Sequence, residues 1–116
     1  MDADADLQKY RHLLEKRLAD LRLQSETSSD ARKPVELDQA SIGRLSRMDS
    51  MQMQAMAQAA ERRRQNEVAR VKAALKRIDE GEFGYCVACG EAIDPKRLDI
   101  DPSIASCIRC AAASGR

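Results

Sequence analysis

Apolar residues in the first third of the chain recur at helical intervals, with Leu7, Leu14, Leu18 and Leu21 on one stripe and Leu13 and Leu23 at its margins. Asp2, Asp4 and Asp6 stand ahead of that stripe, where a helix N-terminus favours negative charge, and the pattern predicts a first helix over about 7–24. The polar run that follows is closed by Pro34 and breaks the period, so it reads as a turn. Helical character returns by Asp38 and meets no further proline before Glu80; a helix over 38–80 would be about 60 Å long at its usual rise per residue. A shorter helix, a tip over 25–40 and a longer helix predict an antiparallel hairpin over 1–80, with Leu21 near Leu45, Leu14 near Met53 and Leu7 near Ala60. In that register Met48, Met51, Met53 and Met56 pack into the seam, where pliable thioethers fill gaps well. Val68, Val71, Leu75 and Ile78 form a second stripe that needs a cover, either from the cysteine-bearing C-terminal module or from a second copy of the chain.

The periodicity ends near Gly81, a residue suited to the left-handed cap of a helix that carries Lys76 and Arg77 in its last turn. Beyond it, Cys86-Val87-Ala88-Cys89 and Cys107-Ile108-Arg109-Cys110 are separated by seventeen residues. Two such pairs can place four thiolates around one tetrahedral Zn²⁺, at Zn–S distances of about 2.3 Å. Gly90 would let the first loop turn back so that amide N–H groups face the sulfurs. Disulfides would call for an oxidising compartment, yet the acidic N-terminus has neither the basic nor the apolar segment of a signal peptide. A redox pair would call for a βαβ setting, and no strand pattern lies nearby. Four cysteines leave no coordination position for water or substrate, so the expected ion is a single structural zinc; roughly 10 kcal/mol of its binding energy would be folding energy. Asp101-Pro102 reads as the N-cap and first turn of a short final helix carrying Ile104, Cys107, Ile108 and Ala111 on one face.

Composition supports a mainly α chain: 34% of residues are charged, 3% are aromatic, and the Ala, Glu, Lys, Leu and Arg content favours long helices over a large globular core. A formal net charge of +1 gives no general attraction to nucleic acid, and no apolar run reaches the length of a membrane span. The expected protein is therefore soluble and cytoplasmic, without a membrane partner, and a monomer or weak homodimer. No nucleophile and base stand at recognisable spacing, and the metal site is closed, so an enzyme is not expected.

The run Gly81-Glu82-Phe83-Gly84-Tyr85-Cys86-Val87-Ala88-Cys89-Gly90-Glu91-Ala92-Ile93, with Arg97-Leu98, Pro102 and Cys107-Ile108-Arg109-Cys110, closely resembles the signature of the DksA/TraR zinc-finger family. The preceding hairpin is similar to that family's coiled-coil arm, and Lys33 to Asp49 looks like the arm tip of its short DksA-like branch. The resemblance implies an antiparallel helical hairpin over 1–80, a small four-cysteine zinc-finger module with a short C-terminal helix over 81–116, and a bacterial transcription regulator. Its arm would enter the secondary channel of RNA polymerase. Family members carry an Asp-x-x-Asp-x-Ala tip; Asp38 and Ala40 match its second half and Val35 stands where its first Asp would be. Arg63 and Arg70 fall where the family uses basic residues for the alarmone ppGpp of the stringent response, while Ala111 stands where it has a further Lys. The alternative function is a zinc-ribbon nucleic-acid-binding or adaptor protein using Lys96, Arg97, Arg109 and Arg62 to Arg64. Near-neutral charge and scarce stacking aromatics argue against direct DNA binding.

Overall fold

The computed structural model describes residues 3–33 and 44–114, with side chains over 6–33 and 46–113. These residues form five helices: α1 (Ala3–Thr27), α2 (Ser29–Arg32), α3 (Arg44–Asp79), α4 (Pro95–Ile100) and α5 (Ile108–Ser114). Among the described residues the sole β pairing is an isolated antiparallel bridge between Tyr85 and Ala92. The chain divides into two compact units, one of residues 1–19 with 68–116 and one of residues 20–67, and α1 and α3 each contribute to both.

In the first unit Tyr10 and Leu14 of α1, Val68, Val71, Ala74 and Ile78 of α3, and Phe83, Ile93 and Leu98 beyond it are all buried. The spacing of the α3 residues puts them on one face, and that face is closed over within the chain. Its cover includes α1 as well as the cysteine-bearing segment. Arg11 Nη2 meets Asp79 Oδ1 at 2.8 Å. The rings of Tyr10 and Phe83 lie 5.3 Å apart, tilted by 39°. Leu75 is half-buried, and His12 is exposed.

Gly81 ends α3 as its position predicts. With φ at 75° it adopts the left-handed conformation, its N–H donates to Ile78 C=O at 3.2 Å, and the Glu82 N–H reaches Arg77 C=O at 2.8 Å. This pair of bonds satisfies carbonyls that the helix end would otherwise leave open.

In the second unit the antiparallel hairpin is present, but its ends and register differ from expectation. Residues 25–32, read as a break, are helical apart from a turn at Ser28. Their polar side chains find partners on α3 instead of solvent. Ser25 Oγ donates to both Glu61 carboxylate oxygens, at 2.9 and 3.0 Å. Arg32 and Arg64 both donate to Ser28 Oγ, at 2.6 and 2.8 Å, and both ion-pair with Glu61, at 3.3 and 2.8 Å. Gln54 and Gln58 donate to the Arg32 carbonyl, each at 3.5 Å. Tertiary partners therefore override the turn preference of Ser and Asp.

The same bonds correct the pairing: Ser25 faces Glu61, so the Leu21–Leu45 register does not hold. The seam role expected of the methionines is also overturned. Met48, Met51, Met53 and Met56 are 54–70% exposed, and so is Leu23 at 58%.

Candidate metal centre

The first cysteine pair hangs from a tight backbone hairpin. Ile93 N–H donates to Gly84 C=O and Cys86 N–H to Glu91 C=O, both at 2.8 Å, and Gly90 N–H closes the loop on Cys86 C=O at 2.9 Å. Gly84 and Gly90 have φ of 95° and 80°, values that side chains with a Cβ rarely adopt. Phe83 is buried; Tyr85 is exposed while its neighbour Cys86 turns inward, as alternation in an extended segment demands, and is left 3% exposed at the base of the loop.

The second pair is positioned by α4 and by two long-range bonds. Asp94 caps α4 by accepting from Lys96 N–H at 2.9 Å with Pro95 in the first turn, and Leu98 on this helix is buried. Val87 N–H donates to Ala105 C=O at 2.9 Å, which ties the first loop to the stretch of chain before Cys107. Arg97 Nη1 donates to Ser106 C=O, also at 2.9 Å. With 105 and 106 held by these contacts, the last helix starts at Ile108, not at Asp101 as predicted. Asp101 instead ends α4, and its carboxylate accepts from Ser103 N–H at 3.0 Å and Ser103 Oγ at 2.7 Å. Two Asp-Pro pairs thus offered a helix start, and the capping Asp94 took it.

All four cysteines are free thiols. Their sulfurs lie within 4.8 Å of one another, and Cys89 and Cys107 are 3.7 Å apart. A tetrahedral zinc with Zn–S of about 2.3 Å has sulfurs about 3.8 Å apart, so the donor set fits the ion in number, chemistry and spacing. Amide groups face the sulfurs as the loop geometry predicts: Ala88 N–H approaches Cys86 Sγ at 3.4 Å and Cys110 N–H approaches Cys107 Sγ at 3.5 Å.

These donors stabilise thiolate. The backbone N–H of Cys107 foremost, and those of Cys89 and Ala88 after it, bring Cys86 down to about 6 against the cost of burial. The Cys110 N–H lowers Cys107 likewise. Cys110 is pushed up to about 12, chiefly because its thiol is hydrogen-bonded to Cys107, so the metal-free cluster retains a proton that zinc would displace.

The other predicted site residues are dispersed. Arg63 and Arg70 are exposed on α3. Asp38 and Ala40 lie outside the described residues. Of the basic groups considered for nucleic acid, Arg97 is committed to the Ser106 carbonyl, Arg64 to Glu61 and Ser28, while Lys96, Arg62 and Arg109 are exposed. The buttressing role of Arg97 has no signal in the sequence beyond the family match. The Asp94-Pro95 cap does have one, since it is as legible a helix start as Asp101-Pro102.

Residues 81–114 match the family model of the prokaryotic dksA/traR C4-type zinc finger. The chain is 44% identical over 41 residues to the RNA polymerase-binding transcription factor DksA of Haemophilus influenzae, a stretch that takes in 35% of this chain and 28% of that protein. It is 35% identical over 43 residues to the RNA polymerase-binding transcription factor DksA of Escherichia coli K12, again 28% of that protein's length. Beyond the finger the likeness is one of fold: the structure of transcription factor DksA2 from Pseudomonas aeruginosa matches with a TM-score of 0.77 at 20% identity, covering 96% of this chain and 84% of that one. No helix among the described residues is long and apolar enough to cross a membrane.

Proposed function

We propose, from a C-terminal segment that is a dksA/traR-type C4 zinc finger on a chain with the fold of DksA2, that this protein is a non-enzymatic transcription regulator of the bacterial cytoplasm that binds RNA polymerase. The observation that carries the reading is the finger itself, whose four sulfurs converge at metal-binding distances on a segment matched in proteins described as RNA polymerase-binding. Cys86, Cys89, Cys107 and Cys110 hold one zinc, which supplies a cross-link between two loops and no open coordination position. The chain's own residues do the rest: Arg97 and the Val87–Ala105 bond hold the second loop in register with the first.

The hairpin enters the secondary channel, the segment around Asp38 and Ala40 reaches toward the catalytic centre, and the zinc module remains outside. Arg63 and Arg70, seven residues apart on one helix, contribute to a ppGpp site that polymerase completes. The test is retention of the zinc-loaded chain by purified RNA polymerase, with and without DksA. Saturable retention that DksA displaces is expected; retention by DNA alone, or none by polymerase, contradicts the reading. In a transcription assay, Asp38→Asn removes the charge while keeping a side chain of the same shape and helix-capping capacity. It is expected to bind polymerase and lose most of its effect on initiation, and full activity would show that the carboxylate charge is unused.

A further inference from the structure

A cavity of about 420 Å³ opens in the first unit, apart from the cysteine cluster. Its walls are mainly apolar, with Phe83 and Tyr85 from the lead-in, Ile93 from the returning arm of the backbone hairpin and Leu98 from α4. Such a volume lies within the usual range for sites that take a small group. Tyr85 is 54% exposed although it is a large ring, so an aromatic surface is available to an occupant.

Three charged side chains line the same cavity: Asp6, Lys9 and Asp99. They are not equivalent. The Lys9 ammonium is bound to Asp99 Oδ1 at 3.1 Å and lies 4.9 Å from the centre of the Tyr10 ring. Asp99 additionally accepts from Tyr10 Oη at 2.7 Å. The Asp6 carboxylate has no hydrogen bond or ion pair among the described residues, and its charge is one of those that hold the Tyr10 hydroxyl protonated. The lining therefore carries one net negative charge, and the unneutralised carboxylate is Asp6.

We infer that this cavity docks a protein partner through an apolar side chain that is followed by a cationic one. The apolar side chain fills the space against Phe83, Ile93 and Leu98, and the cation stays at the solvent edge beside Asp6. An anionic neighbour would instead meet two carboxylates, with the single ammonium already engaged. The cavity lining shares no residue with the segment around Asp38 and Ala40, and its test does not use polymerase.

The zinc-loaded, ¹⁵N-labelled full chain is titrated with acetyl-Leu-Arg-amide, and acetyl-Leu-Glu-amide and acetyl-Gly-Arg-amide serve as controls. Saturable shifts at the Gly84, Tyr85 and Ile93 amides with Leu-Arg, at a Kd of about 1 mM, are expected for so small a probe. The Leu-Glu and Gly-Arg probes should bind at least about fivefold more weakly. Asp6→Asn should weaken Leu-Arg binding by about threefold, and Tyr85→Ala by about fivefold. Both substituted side chains lie outside the buried core. Equal binding of Leu-Glu, indifference to both substitutions, shifts centred elsewhere, or no saturation by about 10 mM would each overturn the inference.

Discussion

Tyr10→Phe removes a single oxygen and leaves the buried ring in place against Phe83. The lost oxygen donates to Asp99 Oδ1 at 2.7 Å, a bond to a charged acceptor, which is commonly worth about 1.5–3 kcal/mol. Asp99 is half exposed, with 50% of its side chain accessible, so the lower end of that range, about 1.5 kcal/mol, is appropriate. At roughly 4 °C per kcal/mol for a chain of this size, the melting temperature should fall by about 6 °C with zinc bound. Urea unfolding of the parent, Tyr10→Phe, Asp99→Ala and the double variant at neutral pH isolates the pair, with an expected coupling of about 1 kcal/mol. A third substitution at Lys9 is unnecessary, because its bond to Asp99 persists in Tyr10→Phe and cancels in the cycle.

The bond also has a pH signature. Burial, and then Asp99, raise the Tyr10 pKa from 10.0 to about 12. The folded protein therefore holds a proton that the unfolded chain loses between those values, so the contribution is complete below pH 10 and is lost as pH rises toward 12. Tyr10→Phe should lack that part of the alkaline destabilisation. Coupling below about 0.3 kcal/mol, or identical alkaline profiles, would refute the reasoning.

Three further outcomes are expected. Chelation of zinc, or Cys107→Ser, should expose the amides of residues 81–114 to hydrogen exchange before those of α3, because the helices there are only 6 and 7 residues long and the cysteines close the module; unchanged protection would count against it. Val71→Asp places a charge at a site 1% exposed in an apolar face, and should cost upwards of about 4 kcal/mol, read by denaturant unfolding; melting like the parent would deny the packing. Glu61 is held down to about 2, chiefly by Gln65 and then by Ser25, Arg64 and Arg32, from an ordinary 4.5. Its contribution is present above pH 4.5 and lost as pH falls toward 2, and a Glu61 side-chain carbon that titrates near 4.5 by NMR would contradict the network.

The cysteine cluster was legible because its chemistry is written in spacing: two pairs and a glycine specify converging sulfurs with little help from distant residues. The buried face of α3 was legible for a similar reason, since Val68, Val71 and Ile78 repeat with the helix period. The hairpin register was not. Ser25, Ser28 and Asp30 carry turn propensity, and what keeps this stretch helical is Glu61, Arg64 and the glutamines of α3, partners more than twenty residues away in sequence. That long-range choice then displaced the methionines from the seam to solvent. The start of the last helix failed on the same ground, because Arg97 and Val87 hold the backbone after Asp101 out of helical form.

The proposed function rests on the hairpin tip approaching the catalytic centre of RNA polymerase with the zinc module outside. Replacing the catalytic Mg²⁺ with Fe²⁺ and generating hydroxyl radicals cuts any polypeptide close to that metal. With the zinc-loaded, end-labelled chain bound, cuts are expected only within residues 34–43, around Asp38 and Ala40, and excess DksA should abolish them. Cuts within residues 86–110, or no cut in a chain shown to be bound, would contradict it.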